Sequence, residues 1–165
     1  MSTIDKKAVK VGKYVNTEHV DNLIRNYKKE RWMQNSEKLG KEDTLGIWYS
    51  AEELEEFIQM ARLQGADGIR ICFGVYGEDA PRAGMEGKQT VALVATCSED
   101  VESDTPVFND LYVNRDGKAG ILAYNTGFPL GSPEPGRPTP TTIVTMGGNS
   151  LGSLMVASKD GLTVI

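Results

Sequence analysis

One histidine and two cysteines are all that this 165-residue chain holds of the side chains most used in nucleophilic and metal chemistry. There is no C-x-x-C pair and no partner histidine for His19. A structural zinc site, which takes four Cys or His ligands at short spacings, is therefore not encoded. Cys72 and Cys97 read as small core thiols. A disulfide between them needs Cα atoms about 4.4–6.8 Å apart and an oxidising compartment. Any Ser–His or Cys–His pair has to use His19, which lies beside Glu18 in the first turn of a charged helix and reads as a surface residue. The G-x-G-x-x-G and P-loop patterns are missing, and Gly148-Asn149-Ser150-Leu151-Gly152, although it fits the G-x-S-x-G spacing of a nucleophile elbow, reads as a turn. No cofactor is implied. Basic charge is also short: 18 Lys and Arg face 23 Asp and Glu, a net of −5, which argues against a nucleic-acid partner. No uncharged apolar run reaches the roughly 18 residues of a membrane-spanning helix.

What is present suits one soluble domain with a real core, at 39% hydrophobic and 25% charged residues. The stretch Met1 to Val15 is too lysine-rich for a secretory signal, so a cytoplasmic location is expected. Charge is unevenly spread. Residues 1–65 carry eleven basic and eleven acidic side chains, whereas residues 66–165 carry seven and twelve. From Pro138 to Ser158 there is no ionisable side chain at all. Dense charge at helical spacing predicts solvated helices, and low charge with β-branched residues predicts paired strands.

Residues 1–65 form the helical part. Ile4, Ala8, Val11 and Val15 recur at helical spacing, interrupted by Gly12. Val20, Leu23, Ile24 and Tyr27 make a clearer stripe, capped by Asn16 or Thr17. The stripe drifts at Trp32, about 140° round from Tyr27 at 100° per residue. Gly40 is a plausible stop. The strongest local signal runs from Ser50 to Gly65. Ser50 and Glu53 make a capping box, Tyr49 and Leu54 a hydrophobic staple, and Gly65 a left-handed stop. Leu54, Phe57, Ile58 and Ala61 form its apolar stripe.

The period then changes to two over residues 66–126. Ile69, Ile71, Phe73 and Val75 alternate with Arg70, Cys72 and Gly74, and Val91 to Cys97 repeats the pattern. The two strands predict an antiparallel pair across the polar loop 77–89. Residues 98–110 read as an acidic loop, and Asp116-Gly117 as a turn between short strands. Five prolines make residues 127–140 an extended loop, and residues 141–165 hold candidate C-terminal strands. The expected fold is α+β, with N-terminal helices packed on one face of a mostly antiparallel sheet. Leu54, Phe57, Ile58, Ile69, Ile71, Phe73, Val91 and Leu93 are the expected core.

Trp48-Tyr49-Ser50-Ala51-Glu52-Glu53-Leu54, followed by Asp67-Gly68-Ile69-Arg70-Ile71 and Phe73-Gly74-Val75-Tyr76, resembles a group of small uncharacterised bacterial proteins. These share a capped helix, a D-G-I-R-I-x-F-G-x-Y strand and a second apolar strand. The resemblance spans residues 45–97 and implies a shared α+β core. It carries no activity, so it assigns no functional residue.

Three functional readings follow from the residues. The first is a non-catalytic protein-interaction or self-assembly module. Its partner is another protein or the chain itself, bound through the uncharged C-terminal region. Ile143, Val144, Leu151, Leu154, Val164 and Ile165 are its candidate contacts, because uncharged strand edges invite pairing. The second is a small-molecule-binding protein or enzyme that uses Arg70 with Glu78, Asp79 and Arg82 of the loop 77–89. The third is calcium binding by the carboxylates Glu99, Asp100, Glu102 and Asp104, which lack the D-x-D-x-D-G order of a calcium hand. A solvated acidic loop explains that last cluster better.

Overall fold

A computed structural model describes residues 10–99, 107–130, 155–158 and 161–164. Its helices are α1 (Thr17–Tyr27), α2 (Met33–Leu39) and α3 (Ala51–Leu63). Its strands are β1 (Gly46–Trp48), β2 (Gly68–Val75), β3 (Gln89–Glu99), β4 (Val107–Asp110), β5 (Tyr112–Arg115), β6 (Lys118–Ile121), β7 (Ala123–Tyr124), β8 (Phe128–Leu130), β9 (Met155–Ser158) and β10 (Gly161–Val164). The fold is α+β, and the main sheet is antiparallel throughout, as the two periodicities predict. Its residues fall into two compact units, one built on residues 47–129 and the other on residues 12–46 with the C-terminal hairpin.

In the second unit α1 begins where Asn16 accepts the His19 N–H (2.9 Å). Residues 10–15 are not helical, so the spacing of Val11 and Val15 does not produce a helix there. Both side chains are exposed, and with no surface to bury against, a short segment does not offset the cost of helix nucleation. Between α1 and α2 the backbone widens into one π-turn, Lys28–Trp32, where the Met33 N–H donates to the Lys28 carbonyl. An i→i+5 bond puts one extra residue in the turn, which brings Trp32 back toward the line of Tyr27. That resolves the drift of the stripe. The Trp32 indole N–H then bonds the Asp43 carbonyl at 2.8 Å. Gly40 ends α2 in the left-handed region, at φ 69°.

Asp43 is the polar centre of this unit and is only 2% exposed. Its carboxylate accepts the Thr44 N–H (2.8 Å) and the Asn35 amide (3.1 Å), and its own N–H donates to Ser36 Oγ (2.9 Å). In the same unit β9 and β10 pair as an antiparallel hairpin, with Gly161 opposite Ser158 and Val164 opposite Met155.

In the first unit α3 carries the predicted capping box. Ser50 Oγ accepts the Glu53 N–H (3.1 Å), and Glu53 Oε2 accepts the Ser50 N–H (3.4 Å). Phe57 and Ala61 project from α3 onto Leu93 and Ala95 of β3, and Leu122 completes this buried cluster. Leu54 and Ile69 pack at its margin.

The strand β3 is central. It is flanked by β2 on one side and by β4 and then β7 on the other. Glu99 pairs with Val107, so residues 98–99 and 107–110 are ladder and not loop. The β5–β6 hairpin leaves the sheet between β4 and β7. It turns at Asp116 (φ 53°) and Gly117 (φ 78°), the two positive values that a type I′ turn requires. Residues 128–130 also depart from the loop reading, because they form β8 and pair with β1. Pro129 is tolerated in such a two-stranded ladder because one of its edges needs no donor.

Of the eight expected core residues, Phe57 and Leu93 are buried, Leu54, Ile69 and Val91 are half-buried, and three are exposed. Ile58 lies at the flank of α3 and is exposed, while Ile71 and Phe73 are 61% and 81% exposed. The cause is a mismatch of lengths. Thirteen helical residues span about 20 Å, whereas the eleven of β3 span about 37 Å. Since α3 covers the end that carries Ile69, Leu93 and Ala95, the same face of β2 beyond Ile69 is left open.

Candidate functional site

The strand β2 carries the least ordinary surface of the first unit. In its register Ile69, Ile71, Phe73 and Val75 lie opposite Ala95, Leu93, Val91 and Gln89. Residues directly opposite in an antiparallel ladder share a face, so these eight lie on the α3 side. Ile71, Phe73 and Val75 are 61%, 81% and 69% exposed, and no charged residue interrupts them on this face of β2.

The backbone of β2 is open along the same stretch. Alternate residues of an antiparallel pair exchange bonds with the neighbouring strand. Here the Tyr76 N–H donates to the Lys88 carbonyl (3.1 Å), and the register carries that phase to Gly74, Cys72 and Arg70. The far side of β3 is in phase, since the N–H of Ala95 donates to Leu122 O (2.9 Å) and its carbonyl accepts from Leu111 (2.8 Å). The N–H and C=O groups of Ile69, Ile71, Phe73 and Val75 therefore point away from β3. Among the described residues, β2 has no ladder partner besides β3. One strand thus presents an apolar strip on its face and a row of free donors and acceptors on its edge, the combination that templates pairing.

The other face of β2 is differently committed. Arg70 reaches across β3 to form an ion pair with Asp110 on β4, and its second guanidinium nitrogen donates to Phe108 O (2.6 Å). The pair is partly exposed and lies above the buried Val94 and Thr96. Arg70 is therefore paired with a carboxylate while its own side chain stays 43% exposed. Glu78, Asp79 and Arg82 are exposed in the loop that joins β2 to β3, which is pinned by the buried Met85 and by the Gly87 N–H on Tyr76 O (2.9 Å). Six residues of strand separate Arg70 from Tyr76, about 20 Å. The structure does not bring Arg70 together with these three loop residues.

Of the carboxylate cluster, Glu99 is exposed at the end of β3, and Asp100, Glu102 and Asp104 lie outside the described residues. Among the described residues no group of three His, Cys, Asp or Glu side chains is placed to hold a metal ion. Of the C-terminal candidates, Val164 ends β10, and Ile143, Val144, Leu151, Leu154 and Ile165 lie outside the described residues. Cys72 and Cys97 are both free thiols and half-buried. No helix among the described residues is long and apolar enough to cross a membrane.

A tyrosine cluster closes the other end of the sheet. The Tyr124 ring stacks on Phe57 (5.5 Å between centroids) and tilts against Tyr49 (5.9 Å). Its hydroxyl donates to Glu53 Oε1, so the capping-box carboxylate also ties α3 to β7. That hydrogen bond to a carboxylate holds the Tyr124 phenol above its ordinary pKa. Burial does the same for Tyr49, against a smaller opposing pull from the Gly127 backbone. Nearby, Asn125 accepts from Tyr76 Oη (2.9 Å) and donates to Val91 O (2.6 Å) and Thr90 Oγ1 (3.2 Å). Tyr76, Asn125 and Thr90 satisfy one another, the pattern of a structural network, whereas the buried Tyr49 hydroxyl has no hydrogen-bond partner among the described residues.

Compared with known proteins, the chain matches no family model, no curated protein and no solved structure. The β2 edge was missed in the sequence because alternation marks which residues share a face but not how far along the strand a helix covers it. The one available signal was the length of the α3 pattern set against that of the two strands.

Proposed function

We propose that the protein is a non-catalytic protein-interaction or self-assembly module that docks its partner along β2. The observation that carries this reading is the coincidence of Ile71, Phe73 and Val75 in solvent with the outward-facing backbone of the same residues. An apolar strip alone weakly favours association. Joined to free ladder groups, it matches strand addition, in which main-chain bonds give affinity and alternate side chains give specificity. The process it serves and a cytoplasmic setting belong to the same proposal.

The test is amide hydrogen exchange on a sample dilute enough to be monomeric. Amides that bond to β3, those of Arg70, Cys72 and Gly74, exchange slowly. Those of Ile71, Phe73 and Val75 exchange fast, so the strand shows an alternating pattern. Protection of all six in the monomer would mean that the chain covers this edge itself, and the docking reading would then be wrong.

A further inference from the structure

The edge of β2 is self-complementary, and we infer that its occupant is a second copy of this chain, added antiparallel about a two-fold axis through Cys72. The inference rests on the docking reading above and names the partner and the register.

A symmetric antiparallel pair matches residues whose numbers add to a constant. Pairing within one face needs residues of the same parity, since a one-residue slip turns every side chain to the opposite face. Centring the axis on Cys72 sets Ile69 against Val75 of the second copy and Ile71 against its Phe73. All four apolar residues then meet apolar residues. Centring on Ile71 instead sets Val75 against Asp67, whose carboxylate is already bonded to the Ser98 N–H at 2.9 and 3.1 Å. Centring on Phe73 sets Ile69 against Gly77. Centring on Arg70 opposes two like charges, which is destabilising.

In the Cys72-centred register, charge is also accommodated. Arg70 faces Gly74 of the second copy, and its own charge is balanced within its chain by Asp110. The backbone phase agrees as well. Ile69, Ile71, Phe73 and Val75 point their N–H and C=O groups outward, so the pairs they form are the hydrogen-bonded ones, each exchanging two bonds. Cys72 then falls at a non-hydrogen-bonded pair, where Cα atoms approach to about 4.5 Å. That lies inside the range of about 4.4–6.8 Å that a disulfide requires.

Eight strand residues per copy fall short of the roughly 20–30 a side of a standard interface. The association is accordingly weak, reversible and dependent on concentration. Homodimers most often use this two-fold, same-patch geometry.

The experiment uses the full chain carrying Cys97→Ser, so that Cys72 is its only thiol. Sedimentation velocity over a concentration series is run on this protein and on the same chain with Phe73→Glu, a change at an exposed site that leaves the core untouched. Each sample is then equilibrated with oxidised glutathione. One intermolecular disulfide forms as two protein thiols give two electrons and two protons to one glutathione disulfide, which leaves as two glutathione thiols. The expected result is a monomer–dimer equilibrium whose dissociation constant rises at least about tenfold with Phe73→Glu. A Cys72-linked dimer should form only in the associating protein, and a Cys72→Ser control should associate without the link. A dimer lost on Phe73→Glu but never linked through Cys72 would overturn the register and leave the docking edge standing. A monomer at every concentration, with the alternating exchange pattern intact, would overturn the second copy as occupant and leave a different protein as the partner.

Discussion

Replacing Asp43 by alanine tests how the helical unit is held. Asp43 is buried beside Thr44, and its carboxylate accepts hydrogen bonds from the Thr44 N–H at 2.8 Å and the Asn35 amide at 3.1 Å. Alanine keeps the backbone groups that meet Ser36 Oγ and the Trp32 indole, so only the side-chain bonds are lost. Bonds to a charged acceptor contribute about 1.5–3 kcal/mol each, and the buried Thr44 N–H would be left without its acceptor. The expected loss is therefore about 3–6 kcal/mol. That is a large part of the roughly 5–15 kcal/mol available to a whole domain. Asp43→Asn keeps one carbonyl oxygen and loses about half as much. The assay is urea unfolding followed by tryptophan emission in a Trp48→Phe background. There Trp32, in the same unit as Asp43, is the only reporter. If Asp43→Ala unfolds within about 1 kcal/mol of the parent, a surface-like cost, the carboxylate does not organise this unit and the reasoning fails.

Two further outcomes follow from the first unit. A Cβ on Gly127 would lie 2.4 Å from Ile47 Cγ2 and 2.6 Å from Tyr49 Cζ, so Gly127→Ala should cost about 1–3 kcal/mol by overpacking, read as a lower urea midpoint. An unchanged midpoint would show that β1 and the Tyr49 ring yield freely. The Tyr124 phenol has its pKa raised in the folded state by its hydrogen bond to Glu53. Its contribution is full below the unfolded value of 10.0 and is lost as pH rises through the higher folded value. Stability measured from pH 8 to 11 should therefore fall more steeply in the parent than in Tyr124→Phe, and parallel curves would remove the link between α3 and β7.

Much of the local structure was legible in the residues. The capping box at Ser50 and Glu53, the stops at Gly40 and Gly65, the Asp116-Gly117 turn and the antiparallel pairing of β2 with β3 all rest on short-range chemistry. The Trp32 drift was visible too, but its cause was not. A π-turn is favoured by where Trp32 finds Asp43, eleven residues away, and no propensity encodes that contact. Burial of a buried charge was equally hidden. Dense charge in the first 65 residues predicts solvated faces, yet Lys28 and Asp43 are both buried there. Of the candidate site residues, Arg70 is paired with Asp110, which lies 40 residues on and is brought near only by β4 pairing with β3, so no local signal marked that contact.

The single histidine, the two cysteines, the missing phosphate loops and the net acidity limit the chemistry open to this chain, because chemistry needs its side chains whatever the fold. Period and capping likewise set which segments become helix or strand, since those signals act within a few residues. Only the assembled unit decided which apolar residues are core. Ile69 and Phe73 belong to one alternating strand and carry the same signal. One packs beneath α3 and the other stands in solvent, because a helix about 20 Å long does not cover a strand of about 27 Å. That difference in reach leaves Ile71, Phe73 and Val75 exposed along the open edge of β2.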